Sequence, residues 1–316
     1  MRALVTGASG FVGGYLVAAL QRDGFEVFSC GGPRDGGGML ALDLSDGDAI
    51  RAVLDASRPD VVFHLAAQTF VPESLSSPLS TYEINALGVA RLAQATRDYA
   101  GAGNPMPRLL LTSSAEVYGR RDPQDFPLRE TADVRPANPY AASKAAAEAI
   151  LLAEARSFGL DAVVARSFNH IGPGQSDRFV VASLAAQLAR VAAGGGAQLL
   201  VGNLEAQRDF LDVRDVVEAY LLLARHGERA QIYNVCSGRA VKIRDILGEL
   251  IRIAHVGVEV REDPARMRPL DVPLFVGSYA KLAERTGWKP STPLERSLRE
   301  VYAAALASAG NRGPSS

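Results

Sequence analysis

The chain has 316 residues, 47% of them hydrophobic, and a formal net charge of -1 from 34 Lys plus Arg against 35 Asp plus Glu. That length and apolar content suit one large α/β domain or two closely joined lobes, and the balanced charge excludes a globally basic surface for nucleic acid or an anionic membrane. Two distant cysteines, Cys30 and Cys236, and four scattered histidines support neither a disulfide framework nor a metal cluster.

From the start, MRALVTGASG reads as a strand entering a glycine turn, not as a signal sequence, and no apolar run approaches the roughly 18 residues that span a bilayer. A cytoplasmic protein is expected. Strand-length apolar runs then recur as ALVTG, EVFSC, VVFHLAA, RLLLTSS, DAVVARS, QLLVG and QIYNVCS. Helical segments fall between them at 12–22, 48–56, 81–100 and 139–157. Such alternation predicts a doubly wound parallel sheet of Rossmann type covered on both faces. GGPRDGGG reads as a loop. Beyond Asn169 the pattern loosens around a helix at 179–193, which predicts a smaller α/β lobe interleaved with the first. The expected division is a nucleotide-binding domain over 1–170, to which the chain returns at about 205–238, a second lobe over 171–204 and 239–310, and a frayed tail over 311–316.

TGASGFVG places Gly7, Gly10 and Gly13 between the first strand and the first helix. A tight turn there offers backbone N–H groups and the positive end of a helix to a pyrophosphate, so a dinucleotide site is expected. The second strand ends in GGPR, and Asp35 follows only after a loop. Arg34 either pairs with a ribose 2′-phosphate or is a solvated loop charge. The first reading favours NADP(H), with NAD(H) the alternative.

ANPYAASKAAAE, residues 137–148, sets one tyrosine and one lysine into an alanine helix. Tyr140 and Lys144 stand one turn apart on the same face, roughly 6 Å along the axis. A free phenol titrates near pH 10, and a neighbouring ammonium is expected to lower that value and make Tyr140 a usable acid or base. Ser114, in TSSAEVYG at the end of a strand, is placed to hydrogen-bond the same substrate oxygen.

Glycine turn, strand-end serine and Y-x-x-x-K in this order resemble the extended short-chain dehydrogenase/reductase family, over essentially the whole chain. The resemblance implies that Gly7, Gly10, Phe11, Val12 and Gly13 carry the cofactor pyrophosphate, that Asp43 and Leu44 lie beside the adenine, and that Leu65, Ala66 and Ala67 line its ribose and phosphates. It implies Ser114, Tyr140 and Lys144 as the catalytic set, with Lys144 also holding the nicotinamide ribose. Asn85 matches a buried asparagine that steadies the active-site helix.

A second signature resembles the nucleotide-sugar branch. RSFNHIGPGQ and NLEAQRDFLDVRD imply Asn169, His170 and Arg208 at the sugar diphosphate, with Phe179, Val180 and Arg268 completing the substrate site. Arg208 could instead pair with Asp209 or Asp212. The GPGQS and RPLDVPLFVGS wording resembles the GDP-6-deoxy-4-keto-mannose reductases, implying NADPH-dependent reduction of a GDP-4-keto-6-deoxyhexose by a homodimer. Glu116 keeps a 4,6-dehydratase or 4-epimerase reading open, because in related dehydratases a glutamate here removes a sugar proton. For a reductase it is expected to be a structural acceptor of backbone N–H groups. A non-catalytic NADP-binding protein is the remote alternative, and retention of both Tyr140 and Lys144 argues against it.

Overall fold

The structure, a computed structural model, describes residues 1–32, 38–266 and 272–311. The first half of the chain runs β1 (Arg2–Thr6), α1 (Phe11–Arg22), β2 (Glu26–Gly31), β3 (Leu40–Ala41), α2 (Gly47–Ser57), β4 (Val61–His64), α3 (Val71–Ser76), α4 (Pro78–Tyr82), α5 (Gly88–Gly101), β5 (Arg108–Ser114), α6 (Pro139–Phe158) and β6 (Ala162–Ser167). The remainder continues through β7 (Asn169–Ile171), α7 (Val180–Ala192), β8 (Gln198–Val201), β9 (Gln207–Asp212), α8 (Val213–His226), β10 (Gln231–Val235), β11 (Ala240–Lys242), α9 (Ile243–Ala254), β12 (Glu259–Glu262), β13 (Leu274–Phe275), α10 (Ala280–Thr286) and α11 (Leu294–Asn311).

Among the described residues seven strands form a parallel sheet in the order β10-β6-β5-β4-β1-β2-β3. The order reverses between β1 and β4, and a crevice at such a point is where open α/β sheets bind ligands. Every residue of β4 and β6 is buried, as a sheet covered on both faces requires. Alternation along β1 sends Ala3 and Val5 into a core with α1 and α8, and Leu4 into a core with α2, α5 and α6. The predicted doubly wound sheet is therefore the one observed.

The second lobe has its own core, where α7, α9 and α11 pack around Leu184, Leu247 and Val301. Its strands are short. β9 pairs with β7 and β13 in parallel and with β11 antiparallel, while β8 pairs with β12. The chain rejoins the main sheet through α8 and β10, which pairs with β6. Leu282 and Trp288, well past that return, also sit in the first lobe's core.

Two helix boundaries differ from the sequence reading. The segment expected at 81–100 begins earlier, at Pro78, and is broken by a π-helical turn over Glu83–Leu87, where Asn85 is drawn towards Gln68 and Ser143. Asn311, the first residue of the expected frayed tail, ends α11. Among the described residues no helix is long and apolar enough to cross a membrane.

Candidate active site

The glycine turn joins β1 to α1 and is shaped by close backbone approach. Gly7 has φ 71°, and a Cβ there would lie 2.7 Å from the Ala66 nitrogen, so the loop after β4 presses directly on the turn. A Cβ at Gly13 would lie 2.3 Å from the Gly7 carbonyl oxygen. Gly10 caps α1 with no side chain, and no acidic residue stands in the first turn, which leaves the positive helix end open to an anion. Beside it a groove of about 840 Å³ is lined by Gly7, Gly31, Asp43, Leu44 and Ala66 from one side and by Leu79, Glu83 and Ile84 from the other. Glycine cradle and groove fit a dinucleotide. Asp43 is exposed, and the amide and hydroxyl of Ser45 at 2.8 and 2.7 Å hold its carboxyl below the usual carboxylate range. Phe11 and Val12 open α1, and Leu65 and Ala67 flank Ala66 in the loop after β4. Arg34 lies outside the described residues.

Ser114 and Tyr140 meet where β5 ends and α6 begins. The Ser114 hydroxyl oxygen accepts from the Glu116 amide at 3.2 Å, capping the short turn Ala115–Tyr118, and the hydroxyl interacts with the Tyr140 phenol. α6 starts there because Asn138 caps it, accepting from the Ala141 amide at 2.8 Å, and Pro139 occupies the first turn. Burial pushes the Tyr140 phenol up to about 12; the Ser114 hydrogen bond opposes this and the Glu116 charge adds to it. The expected lowering by Lys144 is not what the structure gives. Lys144, itself buried, points its ammonium to the Thr112 carbonyl at 2.9 Å, and desolvation lowers its pKa to about 8 against the support of Glu148. Tyr140 is thus a protonated acid at neutral pH. Glu116 also differs from expectation: its carboxylate takes the Asn138 side-chain amide at 3.4 Å, with no backbone N–H on it among the described contacts.

A chain of hydrogen bonds ties these groups to the glycine turn. Thr112 donates its hydroxyl to the His64 carbonyl at 3.0 Å, His64 Nδ1 meets the Thr6 hydroxyl at 2.8 Å, and Thr6 immediately precedes Gly7. Burial holds His64 neutral, with its pKa near 3. On the other side Asn85 brackets Gln68, accepting from its amide at 2.8 Å and donating to its carbonyl at 2.9 Å. The same amide group donates to Ser143 at 2.9 Å, and Ser143 donates to the Tyr140 carbonyl at 2.7 Å. Asn85 therefore bolts α6 to the loop after β4.

The second lobe reaches the same edge through β7, which follows β6 after one residue. His170 stacks on Phe11 with ring centroids 6.0 Å apart, and Tyr15 donates to the Pro173 carbonyl at 2.9 Å, so the substrate segment rests on the first turn of α1. Asn169 is exposed and donates to the Asp209 carbonyl at 3.4 Å. Arg208, next along β9, donates to the carbonyls of Gln207 and Val272 at 2.9 and 2.6 Å. Nearby, Asp209 accepts from Ser237, Gly238 and Gly277, and Asp212 from Arg214 and Ser297. Phe179 caps α7 and contacts Phe70 edge-on at 6.4 Å, with Val180 exposed beside it. Arg268 lies outside the described residues.

Sequence reasoning missed Asn138, although N-P before an alanine run is a helix-start signal. It also missed Leu79, Glu83 and Ile84 in the groove, which no motif marks, and the buried residues behind Lys144.

Parallel sheet, glycine turn and the Ser114, Tyr140, Lys144 cluster define an extended short-chain dehydrogenase/reductase, a class of NAD(P)-dependent oxidoreductases. The chain belongs to the GDP-mannose 4,6 dehydratase family, whose sequence profile matches residues 34–301. It is 43% identical to the GDP-6-deoxy-D-mannose reductase of Pseudomonas aeruginosa over 95% of both chains. With GDP-mannose 4,6 dehydratase 1 of Arabidopsis thaliana it shares 30% over 94% of this chain and 87% of that protein. Its fold matches the structure of RMD from Pseudomonas aeruginosa complexed with NADPH, with a TM-score of 0.87 and 40% identity over 98% of this chain and all of that one. The Thermus thermophilus UDP-glucose 4-epimerase complex with NAD matches with a TM-score of 0.85 and 32% identity over the whole of both chains.

Proposed function

We propose that the protein reduces the 4-keto group of a GDP-6-deoxy-4-keto-hexose, converting GDP-4-keto-6-deoxy-D-mannose to GDP-D-rhamnose with NADPH. The observation that carries this reading is the buried Tyr140 phenol at the start of α6, paired with the Ser114 hydroxyl at the end of β5 beside the glycine-turn groove. Reduction of a ketone needs an acid at the carbonyl oxygen, and such a phenol is one. The named activity of the 43% identical relative points to the same substrate.

When bound, NADPH supplies the hydride that adds to the sugar C4. Gly7, Gly10, Phe11, Val12 and Gly13 hold its pyrophosphate on the end of α1, and the Leu44, Ile84 groove takes the adenine. At the reacting oxygen Tyr140 gives up its proton and Ser114 donates a hydrogen bond, so the charge that develops there is neutralised as it forms. Lys144, an ammonium below about pH 8, steadies the phenolate left behind. Arg208 and Asn169 take the GDP diphosphate, where a planar guanidinium suits paired phosphate oxygens. His170, Phe179 and Val180 surround the sugar. The functional unit in this reading is a homodimer joined through α5 and α6.

A second reading, GDP-mannose 4,6-dehydratase, is favoured by Glu116, whose charge acts on Tyr140. The two are separated by incubating pure protein with GDP-4-keto-6-deoxymannose and NADPH, and separately with GDP-mannose alone. Stoichiometric NADPH loss in the first is the expected result, and a 4-keto product in the second establishes the dehydratase.

A further inference from the structure

Behind the catalytic face lies a buried ion pair that the reaction as described does not use. Glu148 stands one turn beyond Lys144 on α6 and is 3% exposed; Arg166, on β6, is 2% exposed. The guanidinium grips the carboxylate with Nε at 2.9 and 3.1 Å and a terminal nitrogen at 2.6 Å. The same carboxylate accepts the Ser113 hydroxyl at 2.5 Å, and Ser113 faces Arg166 in the β5 to β6 register. Ser113 immediately precedes Ser114. Arg166 also lies over the Tyr118 ring, 4.8 Å from its centroid, in the turn that Ser114 caps.

We propose that Glu148, clamped by Arg166, is a positioning residue that keeps the charge on Lys144 and fixes the strand end carrying Ser114. This rests on the catalytic roles proposed above for Lys144 and Ser114. Taking both charges out of water is costly, and an apolar pair could fill the volume with equal or better stability, so stability alone gives no reason for the pair. Its placement does. Lys144 donates to the Thr112 carbonyl of β5, interacts with His64 at the end of β4, and shares α6 with Tyr140 one turn before it and Glu148 one turn after it. His64 and Tyr140 are neutral at pH 7, and Thr112 offers a dipole. The anion supporting the Lys144 ammonium is Glu148. Arg166 holds that carboxylate in place through both of its oxygens.

The test follows kcat/KM and NADPH affinity across pH, the latter by cofactor fluorescence, which needs no sugar. Glu148→Gln should move the high-pH midpoint of both profiles down by about one unit or more, since an ammonium without its counter-charge loses its proton earlier. Arg166→Lys, which keeps a charge pair, should leave the midpoint near that of the native protein. Where Glu148→Gln strands the guanidinium and fails to fold, the double variant Glu148→Gln, Arg166→Met removes both charges of the pair and should fold with a smaller downward shift, because the guanidinium's repulsion is lost with the carboxylate's attraction. A folded Glu148→Gln or double variant with an unmoved midpoint overturns the proposal and reduces the pair to a core contact. If native protein does not turn over the keto sugar, the functional reading fails while the cofactor-binding midpoints still decide this one.

Discussion

The two lobes hold their polar groups by opposite means. In the first, chemistry emerges where buried parallel strands end: Thr6, His64, Thr112 and Ser114 sit at or beside the carboxyl ends of β1, β4 and β5, and register alone brings them together. In the second, short and partly exposed strands are stapled by buried aspartates to segments far along the chain. Asp209 takes Ser237, Gly238 and Gly277, and Asp212 takes the hydroxyl of Ser297. Sheet register is a repeating, cooperative restraint, so a substitution at the strand ends changes reactivity with little loss of structure. A staple is a single point, and its loss releases a lobe.

Tyr140→Phe tests the first half of that contrast and should have the largest effect. Loss of a general acid commonly costs about 100-fold or more in kcat. The fold should be unchanged, because the helix carrying the residue is held by Asn138 and Asn85 and not by the phenol. Rate measured by NADPH oxidation, beside a thermal melt, separates the two; near-native turnover removes the tyrosine from the mechanism.

Asp209→Ala tests the other half. It strands three backbone N–H groups, from Ser237, Gly238 and Gly277, and each unsatisfied donor costs about 1–3 kcal/mol, so about 3 kcal/mol or more of stability should go. Calorimetry should show a lowered transition, and GDP-sugar binding should suffer more than NADPH binding. Equal loss of both ligands would mean that the lobes do not respond separately.

Arg208→Ala, one residue away, should behave differently. The backbone N–H groups that Asp209 holds are untouched by it, so stability should fall less than in Asp209→Ala, while KM for the GDP-sugar rises about tenfold or more and NADPH affinity stays. Initial-rate kinetics against each substrate in turn give both numbers.

The same contrast explains what was legible in the sequence. Gly7, Gly13, Ser114, Tyr140 and Lys144 lie in short local motifs, so they could be singled out directly from the sequence. The seven-stranded sheet was legible for the same reason, since buried parallel strands are continuous apolar runs. Lys144 lies on the expected helix, but its contact with Thr112 was not legible: helical spacing fixes a shared face, whereas the reach of a long flexible side chain to the Thr112 carbonyl depends on how deep α6 sits against β5. The aspartate staples join residues from 28 to 85 positions apart and leave no local mark. The boundary at Pro78 was hidden because a π-turn over Glu83–Leu87 has no sequence signature of its own.

The alanine helix shows the remaining limit, and from it follows the smallest expected effect. A helix built mostly of one small residue has almost no amphipathic phase, so composition predicts burial on several sides without saying which alanine faces where. Ala147, a residue suited to an interface charge if it faced outward, is fully buried in the core shared with Val89 and Leu92. Ala149 and Ala153 are the exposed ones, on a face with half-buried Ala142, Ala146 and Ile150, and α5 begins beside Leu87, 46% exposed. Small residues let helices approach closely, and a two-fold axis is the commonest way for such a surface to close. The proposed dimer through α5 and α6 therefore places Ala153 in the interface and leaves Tyr140, on the inner face, within its own subunit. Ala153→Glu should shift the protein towards monomer in sedimentation equilibrium at micromolar concentration and lower kcat only a few-fold, about 1 kcal/mol of transition-state support, as α6 loses its brace. A native protein that sediments as a monomer with full activity would show that the outer face of this helix has no partner of its own kind.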